Sequence, residues 1–243
     1  MNKNVLITGG SKGIGKSIAK ILVQEGYCVY IAARNEEDLK KTLNEINAAG
    51  YFVCDLSQKN ECKKLVADMI KTAGSVDVLI NNAGAYTYSP VEKTTEEDIE
   101  NLINLNVKAP YLLSKYAAED MKQNKWGRII NIGSISGVVG EANASLYSMT
   151  KSSFSGFTKA LALELAADNI TVNTINPGWV ETELSKDAVE KSDFSYQEEI
   201  DMIPQRRFIH PDEIGNLVKY MVSEEAKGMT GQSVSLCAGL SAG

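Results

Sequence analysis

The sequence predicts an α/β fold: one domain spanning residues 1–243, built on a doubly wound parallel sheet. Three observations carry this expectation. Short β-rich runs alternate with longer amphipathic segments from the first residues to about residue 175. No linker, repeat or low-complexity tract interrupts them. Apolar residues make up 44% and charged residues 23% of the chain, the balance of a soluble globule with a sizeable core.

The elements follow in order. Residues 5–8 read as a strand, and residues 13–25 carry helical spacing through Ile14, Ile18, Ile21 and Leu22. A second strand covers 27–33. Asn35 then stands as N-cap of a helix whose first turn holds Glu36, Glu37 and Asp38, where carboxylates suit the helix dipole. Strands at 51–54 and 76–80 flank a helix over 59–72. A long helical stretch follows Thr94 and Thr95, then a strand at 128–132, a helix from about 146 to 167 and a strand at 170–175. The polar, weakly periodic segment 181–208 breaks the pattern and reads as an insertion over the sheet's edge.

Composition excludes several classes. A net charge of −6 is wrong for a chain whose main partner is nucleic acid. No apolar run approaches the ~20 residues that cross a bilayer, and the N-terminus lacks signal-peptide architecture, so a cytoplasmic location is expected. Cys28, Cys54, Cys62 and Cys237 form no C-x-x-C pair, and Cys28 and Cys54 fall in apolar runs as buried free thiols. His210 is the single histidine, so a histidine-rich metal site is out and no metal is expected. Preceding Pro211 at a helix start, it reads as structural, which leaves proton transfer to other groups.

Between the first strand and its helix lies Thr8-Gly-Gly-Ser-Lys-Gly-Ile-Gly15. Glycines at Gly9, Gly13 and Gly15 let backbone approach a pyrophosphate, and the helix behind them turns its amides and positive dipole end to that anion. The spacing only approximates G-x-G-x-x-G. That fingerprint expects an acid ~20 residues on, for a ribose hydroxyl; here the second strand ends in Arg34, whose planar fork suits a 2′-phosphate. Lys12 would add a second positive charge, so NADP is preferred, with NAD as the alternative if Glu36 or Glu37 holds the ribose. Asp55, after the third strand, is placed either for the adenine amino group or to cap the next helix. Asn81-Asn82-Ala83-Gly84 supplies small residues where the chain would pass under a cofactor.

Ser134 ends the fifth strand, and Tyr147 follows with Lys151 one helical turn beyond, on the same face. A free tyrosine, with pKa near ~10, exchanges protons poorly at neutral pH, and a neighbouring ammonium is expected to lower that value. Tyr147 would then protonate a carbonyl oxygen as hydride reaches its carbon, with Ser134 hydrogen-bonding the oxyanion.

These residues together resemble the short-chain dehydrogenase/reductase family along the whole chain. The resemblance is carried by Thr8-Gly-x-x-x-Gly-Ile-Gly15, Asn81-Asn-Ala-Gly84, Asn106, Ser134, Tyr147-x-x-x-Lys151 and Asn176-Pro-Gly178, in family order. It implies a Rossmann fold of about seven strands, the last near residues 232–236, and catalysis by Asn106, Ser134, Tyr147 and Lys151. In that scheme Lys151 also bonds the nicotinamide ribose and Asn106 holds a water that links Lys151 to solvent. The cofactor would lie against Gly9, Ser11, Lys12, Gly13, Ile14, Gly15 and Arg34, with Asp55 and Leu56 at the adenine and Asn82 and Gly84 along its length. Pro177 and Gly178 belong to the same cofactor set, and Val180 and Thr182 match positions that orient the carboxamide. A non-catalytic, nucleotide-sensing member would have lost some of these residues.

Within the family the chain is most similar to 3-oxoacyl-[acyl-carrier-protein] reductases, through Trp126-Gly-Arg-Ile-Ile-Asn-Ile-Gly-Ser134, Ile203-Pro-Gln-Arg-Arg-Phe208, the following His-Pro-Asp-Glu-Ile214 and Met229-Thr-Gly-Gln232. That implies NADPH-driven reduction of a 3-oxoacyl thioester on acyl-carrier protein or CoA, in fatty-acid or related biosynthesis, by a homotetramer. Other carbonyls or alcohols (sugars, steroids, polyketides, small ketones) are the alternative. Cys237-Ala-Gly-Leu240 departs from the ending usual in these reductases. A substrate lid at 183–208 carries the acids Glu183, Asp187, Glu190 and Asp193, which sit oddly with an anionic carrier; Arg128 is the candidate basic contact, and Tyr86 and Tyr88 are candidate pocket walls.

Overall fold

A computed structural model describes residues 3–191 and 195–242. Seven parallel strands are β1 (Asn4–Thr8), β2 (Cys28–Ala33), β3 (Gly50–Val53), β4 (Val78–Asn81), β5 (Gly127–Ile132), β6 (Ile170–Pro177) and β7 (Ser233–Leu236). They lie in the order β3-β2-β1-β4-β5-β6-β7, the doubly wound arrangement expected. The helices are α1 (Gly13–Gln24), α2 (Glu36–Ile46), α3 (Glu61–Ala73), α4 (Glu96–Ile103), α5 (Ala109–Asn124), α6 (Ser136–Val139), α7 (Ser145–Leu165), α8 (Glu183–Lys191), α9 (Tyr196–Met202) and α10 (Pro211–Val222).

Because helices cover both faces of the sheet, both faces of each strand are apolar. Val5 and Ile7 of β1 face one core with Ile18 and Leu22 of α1 and Ile214 and Val218 of α10. Leu6 between them faces the other, with Met69 of α3, Leu113 of α5 and Leu165 of α7. Strand order reverses between β1 and β4, and the crevice at the carboxyl ends of these strands is where such sheets take ligands.

Local chemistry sets the boundaries. Asn35 caps α2 as expected, accepting from the Asp38 amide at 3.0 Å. His210 caps α10: its Nδ1 accepts from the Asp212 amide at 3.3 Å, and Glu213 accepts from the His210 amide at 2.9 Å. The structural reading of this histidine therefore holds. The long helix after Thr95 differs from expectation. It runs as α4, then a π-helical turn over Asn104–Lys108, then α5. Such single π turns inside α-helices frequently mark functional sites, and this one carries Asn106.

Three expectations are corrected. Cys28 is half-buried, whereas Cys54 is buried just past β3, where burial pushes its thiol up to about 12. Asp55 does not cap α3; its carboxylate closes a turn by accepting from Ser57 Oγ at 2.7 Å and the Ser57 amide at 3.1 Å. Arg128 is no surface contact for an acidic carrier. It is 0% exposed, at the amino end of β5, stacked 4.3 Å over Trp126 and paired with Glu224 at 3.2 Å, at the opposite end of the sheet from the crevice.

The segment beyond β6 leaves and returns beside itself: Val180 bridges Ile209, and α8 and α9 form the excursion between them. Val189, Ile203 and Phe208 join the core, so the excursion is anchored by apolar burial. Glu183, Asp187 and Glu190 lie on α8; Asp193 lies outside the described residues.

The α6–α7 crossing is tight enough to test. A Cβ on Gly137 would stand 2.6 Å from the Lys151 carbonyl carbon and 2.7 Å from the Ser152 nitrogen. Gly137→Ala should destabilise the fold by about 1–3 kcal/mol through overpacking, read from the urea midpoint. It should lower turnover as well, because the displaced turn carries Lys151.

Candidate active site

The site begins with a clasp between two loops. Thr8, 1% exposed at the end of β1, accepts through Oγ1 from the amides of Asn82 at 3.1 Å and Ala83 at 3.0 Å, and donates to the Ile80 carbonyl at 3.3 Å. Asn82 answers with its Nδ2, donating to the carbonyls of Thr8 at 2.9 Å and Gly9 at 3.1 Å. Gly9 turns the chain at φ 64°, a region glycine enters without penalty. A Cβ on Gly15 would lie 2.3 Å from the Gly9 carbonyl oxygen and 2.5 Å from Asn82 Nδ2, so the helix can approach the loop only as glycine.

Above the clasp a cavity of about 560 Å³ is lined by Gly9, Ser11, Lys12, Gly13, Ile14, Arg34, Asp55, Leu56, Asn82, Gly84, Tyr147, Lys151 and Thr182. These are predicted cofactor residues, and no side chain caps the N-terminus of α1, so its first amides are left for an anion. The residues present therefore fit a dinucleotide. Gly15 lies outside the lining, beneath the loop. Pro177, Gly178 and Val180 line the adjoining cavity instead.

The charges are arranged differently from expectation. Lys12 is already engaged, 3.1 Å from Asp38 and 3.8 Å from Glu183, and Asp38 above all holds its ammonium above the usual lysine value. Arg34 is exposed at the cavity and makes no ion pair among the described residues. Glu36 is tied to Lys40 at 2.9 Å and Tyr51 at 3.1 Å, and neither it nor Glu37 lines the cavity. Asp38 does, and sequence reasoning missed it by treating it only as a helix first-turn acid.

Ser134, just past β5, hydrogen-bonds Tyr147 of α7; Lys151 stands one turn further along that helix, and Asn106 comes from the π turn. Asn106, 1% exposed, accepts from the Ala85 amide at 2.9 Å and donates to the Ala85 carbonyl at 2.9 Å and to Thr150 Oγ1 at 3.1 Å. Lys151 is 6% exposed and donates to the Ile132 carbonyl at 2.9 Å. A Cβ on Gly84 would come 3.2 Å from Asn106 Oδ1 and 3.4 Å from Lys151 Nζ, which places these two side by side; Lys151 Nζ in turn lies 5.8 Å from the Tyr147 ring centroid.

Tyr147 does not show the lowered pKa expected from its lysine. Burial pushes it up to about 12 against the opposing hydrogen bond of Ser134, and burial likewise draws Lys151 down to about 8. The same loss of water acts on both groups, and at 5.8 Å from the ring centroid the ammonium does not reverse it. At neutral pH Tyr147 therefore holds its proton, as a general acid must, while Lys151 remains largely charged.

Beside Tyr147 opens a second cavity of about 540 Å³, lined by Tyr86, Tyr88, Ser134, Glu141, Trp179, Leu184, Met202 and Leu240, among others. Tyr147 belongs to the walls of both cavities. Tyr86, a predicted wall, packs edge-on to Tyr147 with centroids 4.9 Å apart. Glu141 and Trp179 were missed. The signal for Glu141 was its place between Ser134 and Tyr147; a loop has no periodicity to give its direction.

Comparison with known proteins agrees with this geometry. The profile described as short chain dehydrogenase matches residues 3–193. A 3-oxoacyl-[acyl-carrier-protein] reductase of Rickettsia felis is 34% identical, over 98% of this chain and 96% of the relative. The crystal structure of a variant actinorhodin polyketide ketoreductase with NADPH superposes with a TM-score of 0.95 at 34% identity, covering 98% of this chain and 97% of that one. A 3-ketoacyl-(acyl-carrier-protein) reductase from Brucella melitensis complexed with NADH gives 0.92 at 28% identity, covering 98% of each chain.

The buried lysine predicts a pH dependence of stability. Lys151 titrates near 8 when folded and keeps its ordinary 10.5 when unfolded, so between these values the unfolded chain binds more protons and stability rises with pH. Below this window the burial of the charge opposes folding in full. The advantage of Lys151→Met over wild type should therefore be largest at about pH 7 and shrink by roughly 1.4 kcal/mol per pH unit above about pH 8. Urea unfolding of the ligand-free proteins measures it, and a flat difference contradicts the buried charge.

Proposed function

Because the chain belongs to the short-chain dehydrogenase family, and is thus an oxidoreductase of that type, we propose that it uses NADPH to reduce a ketone to a secondary alcohol, with a 3-oxoacyl thioester as substrate. The observation that carries this reading is the position of Tyr147 in the wall between a cavity that fits a dinucleotide and one open to a carbonyl compound.

Residues of the first cavity, Ile14, Asn82, Gly84 and Lys151 among them, would hold a nicotinamide cofactor, which would supply hydride for the carbonyl carbon. Tyr147 gives its phenolic proton to the carbonyl oxygen, completing the alcohol, and is left as phenolate. Ser134 hydrogen-bonds the oxygen as charge develops on it. Lys151, charged and buried, favours the phenolate electrostatically and is the group best placed for the nicotinamide ribose. Asn106 holds the Ala85 backbone and Thr150, and so fixes the floor on which Lys151 stands.

NADPH is favoured because Arg34 is a planar cation lining the cofactor cavity with no ion pair among the described residues, suited to a 2′-phosphate. The relatives include NADPH-bound and NADH-bound proteins, so the preference rests on Arg34. The thioester is favoured by the names of the relatives. A different ketone is the second reading, supported by the aromatic and acidic lining of the second cavity. A nucleotide sensor without turnover fits poorly with four converging catalytic side chains.

Residues 183–208 act as the substrate lid in this reading, since Leu184 and Met202 of α8 and α9 line the second cavity. A cytoplasmic homotetramer completes the proposal; Tyr111 on α5 and Met149 and Leu163 on α7 are exposed apolar groups that subunit contacts would cover.

Purified protein should oxidise NADPH in the presence of a short 3-oxoacyl thioester. Tyr147→Phe should bind NADPH yet lose at least ~100-fold in kcat, the scale of general acid catalysis; unchanged turnover would remove Tyr147 from the mechanism. Arg34→Ala should weaken NADPH use about tenfold or more while sparing NADH, as loss of a charge-assisted phosphate contact requires. Equal losses with both cofactors would count against the 2′-phosphate assignment.

A further inference from the structure

The two cavities differ in where cations stand. Lys12, Arg34 and Lys151 line the cofactor side, together with Asp38, Asp55, Glu183 and Asp187. The substrate side carries two carboxylates, Glu141 and Glu199, and no lysine or arginine among its described lining residues. Glu199 is 6% exposed on α9. Glu141 stands in the loop between α6 and α7, where its Oε2 accepts from Ser136 Oγ at 2.6 Å and its Oε1 from the Tyr86 hydroxyl at 2.5 Å.

Both donors lead to the chemistry. Ser136 Oγ is 3.2 Å from Ser134 Oγ, and Tyr86 rests edge-on against Tyr147. Glu141 is therefore one side chain removed from each group that would meet the carbonyl oxygen. A carboxylate has about four acceptor sites; two are filled by these hydroxyls, and the group still lines the open cavity. Burial first, and then this carboxylate, push the Tyr86 phenol well above the ordinary tyrosine value.

We infer that Glu141 determines substrate choice by charge: it excludes ketones that carry an anion beside the reacting carbonyl and admits neutral or cationic ones. The inference rests on the reductase reading and narrows it. A free 3-oxo acid would bring its carboxylate toward Glu141 with no cation in the lining to offset the repulsion, whereas its ester or thioester is neutral there. The hydroxyls that grip Glu141 fix its position, so the repulsion cannot be relieved by swinging the side chain into solvent.

The test is NADPH oxidation with 3-oxobutanoate and with its ethyl ester. Wild-type protein should prefer the ester, and Glu141→Gln should lower the ester-to-acid ratio of kcat/KM by about tenfold or more, mostly through KM of the acid, the effect of removing one like charge at close range. Dividing one ratio by the other cancels both the intrinsic reactivity of each ketone and any common loss from the altered hydrogen bonds. An unchanged ratio in a Glu141→Gln protein that binds NADPH normally overturns the inference. So do equal kcat/KM values for acid and ester in the wild type, a result that needs no variant to fold. Failure of the wild type to reduce either ketone or any thioester while NADPH binds would instead bring down the reductase reading, and this inference with it.

Discussion

The arrangement of the site depends on one buried hydroxyl. Thr8 Oγ1 accepts from two consecutive amides of the loop after β4 and donates back to the carbonyl of Ile80. These half-buried amides have left the strand ladder, and while that of Asn82 also reaches the Ile80 carbonyl at 3.1 Å, that of Ala83 depends on the threonine hydroxyl. The threonine thus lets the chain depart from β4 toward the crevice while keeping the ends of β1 and β4 together. Asn82 adds the reciprocal bonds and fixes the glycine loop from beneath. From that seam the two cavities open, and α1 arrives at the angle that only Gly15 permits.

Dryness is the second constraint, and it acts in two directions at once. The burial that favours hydrogen bonds to a developing oxyanion also holds Tyr147 protonated and weakens the hold of Lys151 on its own proton. The lysine's 2.9 Å bond to the Ile132 carbonyl satisfies a donor without supplying a counter-charge. Thus the neutral phenol is set to deliver a proton at neutral pH.

Much of this was legible in the sequence because the physics was local. Strand and helix alternation, the Asn35 and His210 caps and the glycine loop each announce themselves within a few residues. The site residues converge for a related reason: in a doubly wound sheet, positions just after strand ends come together whatever lies between. Charge environments were not legible. Arg128 looked like a surface cation, yet its guanidinium is buried over Trp126, and Lys12 looked free, yet Asp38 and Glu183 had claimed it. Both outcomes depend on partners distant in sequence or on helix faces that sequence spacing leaves undetermined. The lowered tyrosine pKa failed likewise, because sequence supplies the neighbouring charge but not the depth of burial.

Charge partition between the cavities gives these separate facts a common sense. A dinucleotide brings several negative charges, and the wall that would receive it presents Lys12, Arg34 and helix amides among the acids Asp38, Asp55, Glu183 and Asp187, the first and third of which hold Lys12. Across Tyr147 the cations are missing from the described lining, and Glu141 and Glu199 line the cavity that would receive the ketone. Tyr147 lines both cavities, a half-buried phenol with the Lys151 ammonium 5.8 Å from its ring centroid to favour its phenolate. The reacting oxygen is thereby confined to the one place where negative charge is tolerated briefly.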